Sequence, residues 1–305
     1  MSSSTHDNHR GIAGMTLSMG LLVCSDSIAK LMGQTYTASQ VFFLRSLMIA
    51  ILISCVLLWT GDFRRFRSVL HAPNLLRAFF DSTAAALFLF SLMHLPLSVL
   101  SSIVLTVPLM VTALSFVFLG DRVGWRRWAA VLTGFAGAIL IVRPSHSSFD
   151  VWAMTAVACA MLTSCRDIVT RRIASTTPSL LVTFSSATAC ILLGGLLCAT
   201  ETWRPFTNRD IAMLAGGAVF HCAGMFAIVI ALRSAPPSVT APFRYTLLIF
   251  AAVAGYVVFG EVPDGYTILG AALIAGSGLY ALHRERLQSR ERLAGIADPK
   301  PGPAP

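Results

Sequence analysis

About ten long, mostly apolar stretches of this chain decide what it can fold into. They lie near 11–33, 38–60, 76–94, 97–119, 125–143, 151–172, 179–200, 210–232, 238–260 and 265–283. About 20 such residues in a helix cross the hydrocarbon core of a bilayer. The expected fold class is an all-α integral membrane protein with about ten transmembrane helices. The runs at 76–94 and 151–172 are the least clean, because both carry charges.

Composition agrees. Hydrophobic residues make up 55% of the chain and charged residues 12%, and the mean hydropathy is +0.73. Soluble domains carry about 25% charged residues, so half that supply cannot cover a globule in water. The net charge of +9 does not point to nucleic acid. The basic residues sit in short clusters between apolar runs rather than on one face, as cytoplasmic loops of membrane proteins have them. All seven cysteines fall inside apolar runs and none forms a CxxC pair, so they read as small buried hydrophobes.

The Lys/Arg bias sets an orientation. One set of connections holds Arg64, Arg65, Arg67, Arg122, Arg126, Arg127, Arg171, Arg172 and Arg233, and the tail adds Arg284, Arg286, Arg290 and Arg292. The opposite set holds mainly Arg143, Arg204 and Arg209. Both termini are therefore expected in the cytoplasm, with residues 1–10 as a tail at one end and a disordered, Pro-rich tail over 285–305 at the other. The expected location is a cell inner membrane, with the lipid bilayer as an obligate partner.

The two halves resemble each other. LLVCSDSIAK at 21–30 matches LTSCRDIVTR at 162–171, which sets Leu21, Cys24, Asp26 and Lys30 against Leu162, Cys165, Asp167 and Arg171 at one constant shift. LPLSV at 95–99 matches APPSV at 235–239, and FLGDRV at 118–123 matches VFGEVP at 258–263, at nearly the same shift. About five spans per half is an odd number, so the second half enters the membrane upside down. Inverted repeats of this kind are common in secondary transporters, with substrate near the midplane between halves. The halves are expected at 11–144 and 151–284.

FLGDRVGWRRWAAVLTGFAGAILIVRP at 118–144 and VFGEVPDGYTILGAALIAGSGLYALHRER at 258–286 resemble the ends of two EamA repeats of the drug/metabolite transporter superfamily. FFLRS at 42–46 and APFRYTLLIFAAVAGYVVFGEVPDGYT at 241–267 fit the same family. The resemblance runs from about Gly11 to Arg286. It implies ten helices in two inverted five-helix repeats around a central cavity. Within the superfamily, APFRY and GEVPD look most like bacterial carriers for riboflavin and for S-adenosylmethionine; other branches export amino acids and drugs. The second copy lacks the basic WRR that follows the first, as an outward-facing loop would.

Ionisable residues inside a span are costly and usually face the bundle interior or a water-filled cavity. Asp26 and Lys30, Arg77 and Asp81, and Asp167 and Arg171 are spaced to share a helix face. Lys30, Arg77 and Arg171 lie near span ends, where they serve as structural or gating pairs or snorkel to the interface. Asp26 and Asp167 are deeper and are expected to face the cavity, as paired gates near opposite faces of the membrane. Arg45 and Arg244 are too deep to snorkel easily. Each either pairs with a carboxylate on a neighbouring helix, such as Asp26 or Asp167, or contacts substrate through its planar fork. Tyr245 offers a ring to a flat ligand or is structural. His221 relays protons, binds ligand or is a hydrogen-bonded core histidine. Pro108 and Pro242 interrupt spans four and nine and can kink a helix near a cavity. Ala130, Gly134 and Ala138 form a small-residue ridge on span five, matched on span ten by Gly270, Ile274 and Gly278. Such a ridge suits helix contact within the bundle or between protomers of a homodimer.

The sequence holds no G-x-x-x-x-G-K-[ST] loop, no H-E-x-x-H and no G-x-S-x-G, and no Cys/His cluster has metal-ligand spacing. No cofactor, metal or enzymatic activity is expected. The function expected is secondary transport of a small organic metabolite by alternating access. Riboflavin uptake comes first from the family resemblance, followed by S-adenosylmethionine uptake and then amino-acid or drug export.

Overall fold

The computed structural model describes residues 5–60, 70–120, 124–142, 151–170, 173 and 179–297. Among them are ten helical spans long and apolar enough to cross a membrane. Seven are single helices in regular register: α1 (Thr5–Met32), α2 (Ala38–Thr60), α3 (Ala72–His94), α6 (Trp125–Val142), α7 (Val151–Thr170), α8 (Ser179–Cys198) and α9 (Asn208–Ser234). Span four is divided into α4 (Leu97–Val104) and α5 (Val107–Leu119). Span nine is divided into α10 (Pro237–Thr240), a 3-10 stretch (Ala241–Tyr245) and α11 (Thr246–Phe259). The tenth span opens α12 (Gly265–Ala297). Helix starts earlier than expected at Thr5, and α12 runs to Ala297, so much of the tail expected to be disordered is helical; 298–305 lie outside the described residues.

The apolar surface points outward. Leu58, Trp59, Leu192, Leu196 and Val257 are exposed, while Ser18, Ser25, Ser91, Ser102 and Ser164 are buried. With lipid as solvent, burying leucine gains little, and small polar residues instead let helices approach and bond across the contact. Ser18 Oγ donates to the carbonyl of Gly224 at 2.8 Å and Ser25 Oγ to that of Gly217 at 2.7 Å, and both bonds tie α1 to α9.

The main helix contacts repeat when the halves are exchanged. α1 lies along α9, and its counterpart α7 lies along α3. α2 touches α9 as α8 touches α3, α2–α8 and α6–α12 each map onto themselves, and span four meets span nine through α4 and α11. The breaks repeat too. Thr106 Oγ1 donates to the carbonyl of Ile103 at 2.6 Å, and Thr246 Oγ1 to that of Phe243 at 2.6 Å. Spans four and nine end at Gly120 (φ 69°) and Gly260 (φ 67°), a left-handed conformation that costs glycine nothing. Pro108 lies in the first turn of α5, just after the first break, and Pro242 lies within the second.

The small-residue ridge packs inside the bundle. A Cβ on Gly137 would lie 2.8 Å from the carbonyl oxygen of Gly270, and one on Gly270 would lie 2.7 Å from that of Gly137. Ala130, Ala138 and Ile274 are buried in the same region.

One end of the bundle is tied across the halves. Tyr36 stacks on Phe206 with centroids 3.9 Å apart and donates to Asp210 Oδ2 at 2.6 Å. That bond stabilises the neutral phenol and pushes Tyr36 above its ordinary range. Glu201 accepts from Thr37 at 2.6 Å and from Ser39 at 2.9 Å, and His94 stacks on Trp152.

Candidate functional site

Among the described residues, two charged clusters sit inside the bundle. The first joins α1, α2 and α9. Arg45 Nη2 donates to Asp26 Oδ1 at 2.8 Å and to Ser25 Oγ at 3.1 Å, and lies 3.3 Å from His221 Nδ1. Arg45 is only 11% exposed. One guanidinium nitrogen thus contacts three side chains: of the two carboxylates expected as partners of Arg45 it is Asp26 that it meets, and His221 joins them.

The second cluster joins α3, α7 and α8. Arg166 Nη1 donates to Asp81 Oδ1 at 2.7 Å, while its Nε and Nη2 donate to Asp167 Oδ1 at 3.0 and 2.8 Å. Arg77 Nη1 donates to Ser186 Oγ at 2.6 Å and lies 3.7 Å from Asp81. Asp167, with 41% of its side chain exposed, is the most open of these groups. α2 of the first cluster packs along α8 of the second, and α1 touches α3. The clusters therefore border one interior region.

The repeat relates them position by position. Asp26 corresponds to Asp167, Ser25 to Arg166 and Arg45 to Ser186 at one shift, and His221 to Asp81 at a shift one residue smaller. The guanidinium has changed helix, from α2 in one half to α7 in the other. The first cluster pairs one carboxylate with one arginine, and the second balances two of each.

The spacing of Asp26 and Lys30 misled. Lys30 is not paired with Asp26; its Nζ donates to Glu261 Oε1 and, at 2.6 Å, to the carbonyl of Leu95. Glu261 Oε2 accepts the backbone N–H of Leu97 at 2.8 Å, which opens α4. Each member of the expected pair finds a better-placed partner across a helix contact than along its own helix. Arg77 and Asp81 do approach each other, but Asp81 bonds Arg166 more closely. Arg171 lies outside the described residues.

Arg244 and Tyr245 do not join either cluster. Tyr245 is buried with its hydroxyl against Gly278, where an added Cβ would lie 1.6 Å away, so its ring is fixed on α12. Arg244 is exposed on the 3-10 stretch. Sequence reasoning missed Arg166 and Glu261 as site residues. A second charge adjacent to Asp167 within the span was the available signal for Arg166. For Glu261 it was a carboxylate at the position that Asp121 holds in the first repeat.

Comparison with known proteins agrees with this architecture. The EamA-like transporter family model matches residues 10–143 and 150–282. The chain is 24% identical over 282 residues to an S-adenosylmethionine uptake transporter of Rickettsia bellii, covering 90% of this chain and 94% of that one. It is 30% identical over 220 residues to a riboflavin transporter of Vibrio cholerae, covering 71% and 73%. It is 25% identical over 251 residues to a pseudopaline exporter of Pseudomonas aeruginosa, covering 82% and 87%. A crystal structure 16% identical to the chain has the same fold, with a TM-score of 0.63 over 92% of this chain and 98% of that one. The two matched repeats and the ten spans agree: the chain belongs to the EamA-like transporter family and is a membrane transporter of that type.

Proposed function

We propose that the protein is a secondary transporter that moves a small amphoteric organic metabolite across a bacterial inner membrane by alternating access, with both termini in the cytoplasm. The observation that carries the substrate class is the second cluster. Two carboxylates and two guanidiniums within one interior region, with Asp167 partly open, suit a ligand that bears both charges. Asp167 and Asp81 would meet a cationic group and Arg166 a carboxylate. Arg45, Asp26 and His221 form the more enclosed counterpart and hold the other half in place. Arg244, exposed at the broken start of span nine, is a second arginine open to substrate. Lys30 with Glu261, and Arg77 with Asp81, act as structural or gating pairs.

Uptake of S-adenosylmethionine, which carries a sulfonium, an ammonium and a carboxylate, fits this charge pattern. It is also supported by the relative from Rickettsia bellii, which aligns over nearly the full length. Riboflavin uptake is the second reading, supported by the relative from Vibrio cholerae, which is 30% identical over 71% of the chain. Proteoliposomes carrying the purified protein test both. Labelled S-adenosylmethionine should accumulate, unlabelled S-adenosylmethionine should compete, and riboflavin should not. Riboflavin accumulation without S-adenosylmethionine uptake would reverse the order. Collapsing an imposed pH gradient distinguishes proton coupling from facilitated diffusion, which leaves the rate unchanged.

A further inference from the structure

The packing of α6 on α12 is antiparallel, so the start of α6 at Trp125 and the end of the apolar part of α12 at Arg284 reach the same face of the bundle. A cavity of about 90 Å³ lies there, lined by Gly124, Trp125, Arg126, Arg127 and Arg284. Three of its five lining residues carry guanidinium groups. Arg284 Nε is buried without a hydrogen-bond partner among the described residues, so a donor that lines the cavity is left without an acceptor. A buried, unmet donor is costly, and an anionic oxygen is its natural complement. The Arg126 guanidinium lies 5.3 Å from the centre of the Trp125 ring, and Trp125 is 74% exposed, as an interfacial tryptophan would be. The positive end of the α6 dipole adds to the same field.

The opposite end of the same helix pair provides an internal comparison. There a cavity of about 510 Å³ is lined by Ala136, Ile139, Leu140 and Tyr266, with no charged group. Tyr266 holds the place in the second repeat that Arg126 holds in the first. The basic character is therefore not a by-product of the way α6 meets α12. It belongs to one face, the one that the Lys/Arg bias assigns to the cytoplasm.

We infer that this cavity binds the phosphate of an anionic phospholipid in the inner leaflet. Its size suits a single phosphate group rather than a larger solute. Further along the same two helices, Leu132 of α6 and Leu279 of α12 are exposed and offer acyl chains an apolar surface. Basic pockets between spans on the cytoplasmic side take anionic head groups by this combination of charge and position. The proposal does not depend on the identity of the transported substrate.

The test uses the full-length protein purified in mild detergent, with bound lipid read by native mass spectrometry after addition of phosphatidylglycerol, phosphatidylcholine or inorganic phosphate. The native protein should retain phosphatidylglycerol in preference to phosphatidylcholine. The triple variant Arg126→Gln, Arg127→Gln, Arg284→Gln should lose that preference, by about fivefold per arginine and roughly a hundredfold in all. Arg126→Gln alone, at an exposed side chain, gives the fivefold step if the triple variant does not fold. Equal retention of the two lipids, or an undiminished preference in these variants, would overturn the site. Displacement of phosphatidylglycerol by millimolar inorganic phosphate would reassign it to the free ion.

Discussion

Lys30 and Glu261, 231 residues apart, form an ion pair whose carboxylate also accepts the first backbone N–H of α4, from Leu97, at 2.8 Å. Their side chains are 11% and 17% exposed. One carboxylate therefore ties the end of α1 to the start of span four and to the turn before α12. Glu261→Ala is expected to cost about 3 kcal/mol of stability, because it strands a largely buried ammonium. Exchanging the two charges, Lys30→Glu with Glu261→Lys, is expected not to restore it, since the Leu97 N–H would then face an ammonium. Thermal melting of the purified variants checks both. Full recovery in the exchanged protein would mean that the bond to Leu97 contributes nothing.

Arg45 holds Asp26, Ser25 and His221 through one nitrogen. Arg45→Ala leaves Asp26 inside the bundle without its counter-charge and is expected to cost about 3 kcal/mol. Adding Asp26→Asn removes the stranded charge and should recover at least about 1 kcal/mol of the loss. Melting of the two single variants and the double variant measures the coupling, and strict additivity would refute it.

Asp167 separates stability from transport. Its side chain is 41% exposed, so Asp167→Asn is expected to shift stability by less than about 1 kcal/mol. If it receives substrate, uptake should fall at least about tenfold, roughly the 1.4 kcal/mol of one lost contact. Arg166→Lys should impair uptake as well, because a single ammonium cannot reproduce three bonds to two carboxylates. Uptake assays in proteoliposomes alongside melts check both. Normal uptake by Asp167→Asn would remove it from the site.

Two glycine substitutions should act in opposite directions. On Gly270 a Cβ would meet the carbonyl oxygen of Gly137 at 2.7 Å and Ile141 at 2.5 Å, so Gly270→Ala is expected to cost about 1–3 kcal/mol. On Gly216, in α9, a Cβ would meet nothing within 4 Å, so Gly216→Ala should stabilise the protein by about 0.5 kcal/mol. Melting temperatures of the two variants would separate in sign.

The spans were legible because lipid demands length and apolarity, and both can be read without knowing any contact. The repeat was legible because polar residues matched at a nearly constant shift. Pairing was harder to read. The spacing of Asp26 and Lys30 places both on one helix face, but neither partner choice is settled along a helix: Arg45 and Glu261 arrive from elements 19 and 231 residues away. Arg166 was passed over because spacing along a helix highlights i and i+4, whereas its fork reaches its neighbour Asp167 and crosses to Asp81 on another helix. Tyr245, chosen for its ring, is fixed by the absence of a side chain at Gly278, a property of the partner that Tyr245's own sequence neighbourhood does not carry.

Because α1 lies on α9 and α7 on α3, the main contacts of each half are made by the other. The first five spans leave the ribosome before most of their partners exist. They must wait in the bilayer with the faces of Ser18 and Ser25 open until α9 follows, a delay recorded in the separations of 206 and 192 along the chain in those two bonds. Assembly therefore comes late in synthesis. A chain cut in the connection between halves should regain its structure only when both fragments are made together, each inserted in its own opposite orientation.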